Sequence, residues 1–429
     1  MFHYQDIITE ITNWFNPLYF IHWKAWTGKS TFIKEFVKKV PNTLVLATTW
    51  IAAINVWWTT LHSFFKIFNN KFNLNNEYHP NIKILKKTEY IIIDEISMLR
   101  ADLLETIDKG LRQITKTNLF MWWFKTIFVG DLYQLPPVVP TGEKEWFFKN
   151  YETEFFFWYQ EIYNTDIKLI ELEKVWRQDG DQKFLEIINK IRDWKQNYND
   201  LEILNKRVIK DIPINTIYLA STNKVVKELN EKRLKENPNE IVTSQAKITG
   251  EITSQYFPTD EYLYIKEWAQ IISIINHPQY KDIKNWTRWI IKKIEKNKII
   301  ISFDVLVNNN IKQIDYEIRP YEWELKEPVY NDETGNIEYK EKWYFYQFPI
   351  KLAYAITIHK SQWLTFDKAC IDLWKFAFAK HMVYVALSRV KTLDWISLKR
   401  PIYKNEIKVD DYIWKFLEYI KNSEKNKLF

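Results

Sequence analysis

Three short segments combine residue types that handle phosphate esters. The first is His22-Trp23-Lys24-Ala25-Trp26-Thr27-Gly28-Lys29-Ser30-Thr31. Its tail, Gly28-Lys29-Ser30, offers backbone N–H groups, an ammonium and a hydroxyl to one polyanion at the positive end of a helix. In that chemistry Lys29 reaches the β- and γ-phosphates of a nucleoside triphosphate and the Ser30 hydroxyl ligates Mg2+. The second segment, Tyr90-Ile91-Ile92-Ile93-Asp94-Glu95, is an apolar run that ends in two carboxylates. Asp94 would hold Mg2+, directly or through water, and Glu95 would orient and deprotonate the attacking water. The third runs from Phe128 to Pro137 and carries Gln134 in a polar turn stiffened by two prolines. A glutamine there could sense the γ-phosphate. Each segment has a plainer reading alone: a chance tripeptide, an acidic strand end, a rigid loop. Together, in this order, they favour a nucleotide site.

Elements that can position these residues follow from the apolar pattern. Leu18–His22 reads as a strand, followed by a loop and a helix from Lys29 to Lys39. Thr43–Ala47, Tyr90–Ile93 and Thr126–Val129 read as further strands. Apolar strands alternating with helices predict a parallel sheet covered on both faces. A second alternating region begins near Ile167, with a strand at Leu169–Leu172, a helix near Lys183–Asp193 and a strand at Thr216–Ala220. Residues 251–345 change character: Ile271–Ile275, Ile290–Ile294 and Ile299–Phe303 read as short β-strands between turns. The α/β pattern returns at Leu352–Ile356 and Ala369–Leu373, and a helical tail starts near Asp410. The expected class is α/β, with two P-loop domains and a small β domain inserted in the second. The expected division is 1–165, then 166–250, an insertion at 251–345, and completion of the second domain at 346–429.

The 429 residues carry a formal charge of +7 and one cysteine, Cys370. The charge permits a polyanionic partner without requiring one. A lone cysteine rules out an internal disulfide and fits a reducing cytoplasm. No apolar run is long enough for a membrane helix.

Two counts are abnormal: 7 glycines and 21 tryptophans. Ordinary usage predicts roughly 30 glycines in a chain of this length. Trp14 and Trp286 follow asparagine, and Trp194 and Trp395 follow aspartate, where glycine makes the strongest turn dipeptides. UGA is stop, tryptophan or glycine in different genetic codes. A gene from a UGA-glycine genome, translated with a UGA-tryptophan table, would show both counts and these turn positions. Many of the tryptophans are therefore expected to be glycine in the natural product. With glycine at Trp23 and Trp26 the first segment becomes a complete phosphate-binding loop.

The whole motif set resembles the Pif-type (petite integration frequency) DNA helicases of superfamily 1, close to RecD-like enzymes. Besides the three segments, the resemblance rests on Thr49-Trp50-Ile51-Ala52-Ala53, Thr60-Leu61-His62-Ser63-Phe64, Val175-Trp176-Arg177-Gln178, Thr357 through Thr365, and Tyr384-Val385-Ala386-Leu387-Ser388-Arg389. It covers nearly the whole chain. It implies two RecA-like domains, a β-barrel-like insertion that grips DNA, and ATP-driven movement along single-stranded DNA, 5'-to-3', in replication, recombination or repair. ATP and Mg2+ are the implied cofactors; single-stranded and forked duplex DNA are the implied partners of a monomeric motor. Gln5 resembles an adenine-reading glutamine close to the start of the motor, with no accessory domain before it. Arg177 and Arg389 resemble two arginines that reach the γ-phosphate, a task suited to guanidinium. Thr49, His62, Phe64, His359 and Lys360 resemble residues along the DNA path, although Phe64 and Phe65 also suit a core.

The resemblance also implies glycine at Trp23, Trp26, Trp50, Trp57, Trp58, Trp122, Trp123, Trp268, Trp286, Trp289, Trp363, Trp374 and Trp395. Thr48 departs from it, standing where the family often has proline. The signature between the second and third motifs is matched only loosely, around Leu111-Arg112 and Asn118–Trp123. The rival classes are a decayed, non-catalytic DNA-binding motor, which literal tryptophans at 23 and 26 favour, and a P-loop ATPase acting on RNA or protein.

Overall fold

The computed structural model describes residues 2–13, 18–23, 29–48, 59–68, 71–72, 82–121, 124–172, 181–213, 216–250, 257–275, 277–280, 283, 288–307, 310–331, 336–362, 364–373 and 379–425. By contact density the chain forms two units. One contains residues 1–208, 361–367 and 375–429, and the other residues 209–360 and 368–374. These units group the segments 182–208 and 375–429 with the first sheet.

The first unit is built on a six-stranded parallel sheet. Its strands are β1 (Leu18–Trp23), β2 (Thr43–Ala47), β3 (Thr59–Thr60), β4 (Tyr90–Asp94), β5 (Lys125–Gly130) and β6 (Ile167–Leu172). They lie in the order β3-β2-β4-β5-β1-β6. In the centre, Ile91, Ile92 and Ile93 are all fully buried, as the run of isoleucines requires for a strand covered on both faces. The register pairs Asp94 with Ala47 on one side and with Val129 on the other. It therefore brings the carboxylate strand end level with the start of the Gln134 turn.

Helices α1 (Phe2–Asn13) and α2 (Lys29–Lys39) cover one face. Tyr4, Ile7, Ile8 and Ile11 recur at helical spacing and pack with Phe32, Ile33 and Phe36 around Tyr19 and Ile21. Each such side chain contributes about 1.5–3 kcal/mol by leaving water. This stripe anchors the opening helix to β1. The same unit contains helices α3 (Ala101–Thr115), α4 (Gln182–Arg192), α5 (Met382–Leu387) and α6 (Asp411–Lys425) among others.

The second unit contains three parallel strands, with Ile217–Ala220 between Ala355–Thr357 and Ala369–Asp372. It also contains an antiparallel sheet in the order Asn310–Ile318, Lys298–Val307, Arg288–Glu295, Gln270–Ser273, Ile350–Leu352. The single strand expected at Leu352–Ile356 is thus two. Ile350–Leu352 closes the antiparallel sheet, and Ala355–Thr357 joins the parallel one. Apolar residues run through both, so the change of sheet leaves no mark in the pattern.

Two of the tryptophans expected to be glycine have left-handed backbone: Trp194 at φ 56° and Trp268 at φ 64°. Trp194 follows α4 at a helix stop of defined geometry. Its N–H donates to Ile191 O at 3.3 Å, and the Lys195 N–H donates to Lys190 O at 2.7 Å. These are the two bonds of a Schellman cap, whose central residue is usually glycine. The Trp194 side chain is 61% exposed, so packing gives it little reason to be there. Left-handed backbone costs an L-residue about 1–2 kcal/mol. Trp194→Gly is therefore expected to stabilise the protein by about 1 kcal/mol in denaturant titration, and a loss of stability would remove the argument for glycine here. Trp289 behaves differently. It is 2% exposed and packs edge-to-face on Tyr316 in the core of the inserted sheet. That packing is what a native tryptophan provides and a glycine would forfeit.

Candidate nucleotide site

The site forms where β1, β4 and β5 end side by side. Lys29 is the first residue of α2, and its Nζ lies 2.9 Å from Asp94 Oδ1 and in contact with Glu95 Oε1. Asp94 and Glu95 are 3% and 1% exposed. Burial pushes the Asp94 carboxyl up and the Lys29 amine down, against the attraction between them. Lys29 thus bridges two buried carboxylates while its own side chain remains partly exposed.

The turn after β4 is held by several bonds. The Glu95 N–H donates to Asp94 Oδ1 at 2.8 Å. Thr48 donates twice, from its N–H to Asp94 O at 3.3 Å and from its hydroxyl to Glu95 O at 3.0 Å. Thr48 stands where proline is common among the proteins this sequence resembles, and proline could give neither bond. Glu95 sits in left-handed backbone at φ 59°. Such conformations cost on the order of 1–3 kcal/mol and persist where the surroundings over-determine them. One of its oxygens, Oε2, is buried without a hydrogen-bond partner among the described residues.

Gly130 brings the third segment against this turn. A Cβ at Gly130 would lie 3.0 Å from Ile96 Cγ2 and 3.1 Å from Ile96 N, so any larger residue would have to push the turn after β4 back by a few tenths of an ångström. Beyond it, the Gln134 N–H donates to Asp131 O at 3.0 Å and closes a tight turn. The Gln134 carboxamide oxygen is buried without a partner among the described residues.

Arg389 follows α5 and is 5% exposed. Its guanidinium donates to Val385 O at 2.9 Å, Ser361 O at 3.1 Å, Leu364 O at 3.4 Å and Ser388 Oγ at 2.7 Å. Burial lowers its pKa to about 10. In this structure the arginine is turned inward on to its own helix end rather than toward Lys29.

Other sequence-derived candidates are spread out. Gln5 is exposed on α1, and Thr31 is exposed on α2. His62 is exposed on the short helix Leu61–Phe65. Phe64 is corrected: it is 4% exposed and edge-to-face with the fully buried Phe65, so the pair is core and offers no stacking surface. His359 is half-buried and Lys360 exposed, in the turn after Ala355–Thr357 of the second unit. Lys24, Ala25, Trp26, Thr27, Gly28, Thr49 and Arg177 lie outside the described residues, as do the side chains of Trp23 and Ser30.

Residue types had marked Thr48 only as a departure and had given His22, Asp131, Arg192 and Tyr384 no role. The nearest signal was Arg192, a charged residue just past Ile187, Ile188 and Ile191 on the buried face of α4.

A lysine at a helix start, facing two carboxylates at a neighbouring strand end, needs little else to act on a triphosphate. Set on a parallel sheet with a glutamine turn one strand away, it makes the chain a RecA-like P-loop nucleoside triphosphatase. A PIF1-like helicase family model matches residues 3–202. The ATP-dependent DNA helicase Pif1 of Bdellovibrio bacteriovorus is 29% identical over 391 residues, 87% of this chain and 82% of that one. The Pif1 helicase from Bacteroides, solved with ADP-AlF3 and single-stranded DNA, is 31% identical over 98% of this chain and 97% of that one, with a TM-score of 0.75. A solved structure of two coordinating Pif1 helicases unwinding forked dsDNA is 31% identical over 99% of this chain and 98% of that one, with a TM-score of 0.73. The chain belongs to the Pif1-like helicases of superfamily 1 and has their two RecA-like domains.

Proposed function

We propose that this chain is an ATP-dependent DNA helicase that moves along single-stranded DNA, 5'-to-3', and opens duplex DNA at forks. The observation that carries the reading is the buried Lys29–Asp94–Glu95 cluster at the ends of α2 and β4. When ATP enters, the Lys29 ammonium transfers from the carboxylates to the β- and γ-phosphates. That frees Glu95 to accept a proton from the attacking water, with Gln134 holding the γ-phosphate side of the site. Arg177 and Arg389 supply guanidinium charge to the transferring phosphoryl group; for Arg389 this means leaving its inward bonds. The hard oxygens of Asp94 and Ser30 suit Mg2+, and the next residue after Asp94 has a buried carboxylate oxygen, Glu95 Oε2, without a partner among the described residues. When bound, Mg2+ neutralises developing charge between the phosphates.

Gln5 is assigned to adenine, the 23–31 loop to the phosphates, and Thr49, His62, His359 and Lys360 to the DNA backbone. The division 1–165, 166–250, 251–345 and 346–429 describes the two motor domains and the insertion, and one chain constitutes the motor. A reducing cytoplasm fits the single buried thiol of Cys370. The polypeptide with tryptophan at 23 and 26 supports a second reading, a DNA-binding protein without hydrolysis, because indoles would fill the phosphate cradle.

The test is an unwinding assay on forked duplexes carrying either a 5' or a 3' single-stranded tail, using protein with glycine at positions 23 and 26. ATP-dependent strand separation that needs the 5' tail is expected. Hydrolysis without strand separation on either fork would reject the helicase assignment.

A further inference from the structure

We propose that Asp131 is a positioning residue that locks three elements of the nucleotide site to one another: the end of β1, the Gln134 turn, and the helix that leads into Arg389. The proposal rests on the nucleotide site above and adds to it a group that touches no phosphate.

Asp131 is 2% exposed, and every atom of its carboxylate is used. Oδ1 accepts from the Tyr133 N–H at 3.0 Å and from Arg192 Nη2 at 3.4 Å. Oδ2 accepts from the Tyr384 hydroxyl at 2.8 Å. The His22 ring lies alongside, with Nε2 3.7 Å from Oδ1. His22 Nε2 is also 3.2 Å from Arg192 Nη2, which fits an imidazole accepting there, while Nδ1 faces Glu171 Oε1 at 3.7 Å. The Arg192 guanidinium lies over the Tyr133 ring, 4.2 Å from its centroid.

The elements joined are the ones the reaction needs aligned. His22 is the residue before Trp23, where β1 enters the phosphate loop. Tyr133 precedes Gln134. Tyr384 lies on α5, one turn before Arg389, whose side chain binds Val385 O in the same turn. The carboxylate is therefore a fixed point shared by the loop that holds phosphate, the turn that senses it and the helix whose arginine must reach it. Burial raises the carboxyl pKa, but the charge of Arg192, with the Tyr384 hydroxyl donating as well, more than offsets this and holds it at about 2. The anion is thus present throughout the working range.

The Tyr384 hydroxyl is the one link that can be cut without changing volume or leaving a buried charge unpaired, since Arg192 still neutralises Asp131. Tyr384→Phe is expected to lower kcat of DNA-stimulated ATP hydrolysis about tenfold while ADP affinity stays within about twofold. The affinity for ADP with aluminium fluoride should fall by the same factor as kcat, because that complex requires Gln134 and the arginine in register. The melting temperature should fall by only a few degrees, the cost of leaving buried Asp131 Oδ2 without its donor. An unchanged kcat, or a parallel loss of ADP affinity and melting temperature, would overturn the proposal in favour of simple packing. If Tyr384→Phe does not fold, His22→Asn gives the same test from the β1 side, with the same two outcomes. The parent protein, with glycine at 23 and 26, is assayed beside both. A parent that hydrolyses no ATP rejects the nucleotide-site reading, whereas an active parent with an equally active variant rejects only the positioning role.

Discussion

Replacing Trp23 and Trp26 together by glycine is expected to convert a chain without measurable DNA-stimulated ATP hydrolysis into one turning over on the order of 10 times per second. The phosphate loop works by wrapping backbone N–H groups around the β-phosphate, and only glycine lets the chain come that close. Trp23 ends β1 in register with Leu172, and α2 begins at Lys29, so the intervening loop has a fixed span to cover. Indoles in that span compete with the triphosphate for the same volume. Everything around the loop is already in place: Lys29 on its carboxylates, Glu95 in its turn, and Gly130 against Ile96. Phosphate release with and without single-stranded DNA reads the result. A polypeptide with both tryptophans that hydrolyses ATP as fast as the double variant would sink the idea. So would UGG codons at positions 23, 26 and 57 of the coding DNA.

The second large effect is at Glu95. Glu95→Gln in the glycine-containing protein should cut kcat by about 100- to 10,000-fold while ATP binding changes only a few-fold. Glutamine keeps the shape and one acceptor, so the left-handed turn and the contact with Lys29 survive, but it cannot take a proton from water. Lys29→Ala is the more common choice and the less informative one. It would strand two carboxylates that are 3% and 1% exposed, a loss of about 3–5 kcal/mol that confounds chemistry with folding. Lys29→Ala should abolish hydrolysis, with DNA binding still measurable if the fold survives. For Glu95→Gln, single-turnover hydrolysis at saturating ATP separates the two parameters, and an equal fall in affinity and rate would mean that Glu95 only supports the site.

Much of this was legible before any coordinates. The strand ends at Ala47, Asp94 and Gly130 lie within a residue of where apolar runs give way to polar residues, because a strand buried on both faces cannot tolerate a charge until it emerges. Lys29 and Asp94 followed from chemistry at two such ends. The cross-links did not. Asp131 meets Tyr384 across 253 positions of chain, and no periodicity encodes that pairing. Thr48 read as a departure because its two bonds exist only once β2 and β4 are adjacent. Phe64 was ambiguous because a stacking platform and a core residue are the same side chain. Trp194 and Trp268 were legible as misplaced from turn chemistry and resemblance, and their left-handed backbone supplies the physical reason that glycine suits each.

The return from the inserted sheet also has a mechanical consequence. Ile350–Leu352 and Ala355–Thr357 belong to different sheets, yet only Ala353 and Tyr354 separate them. Both linking residues are tied: the Ala353 N–H donates to Gln270 O at 2.9 Å, and Tyr354 O accepts from the Tyr218 N–H at 2.8 Å. A two-residue joint with one backbone bond at each residue has little spare length. A pull on the antiparallel sheet would therefore reach Ala355–Thr357, and the turn that carries His359 and Lys360, through two short residues rather than through a slack loop.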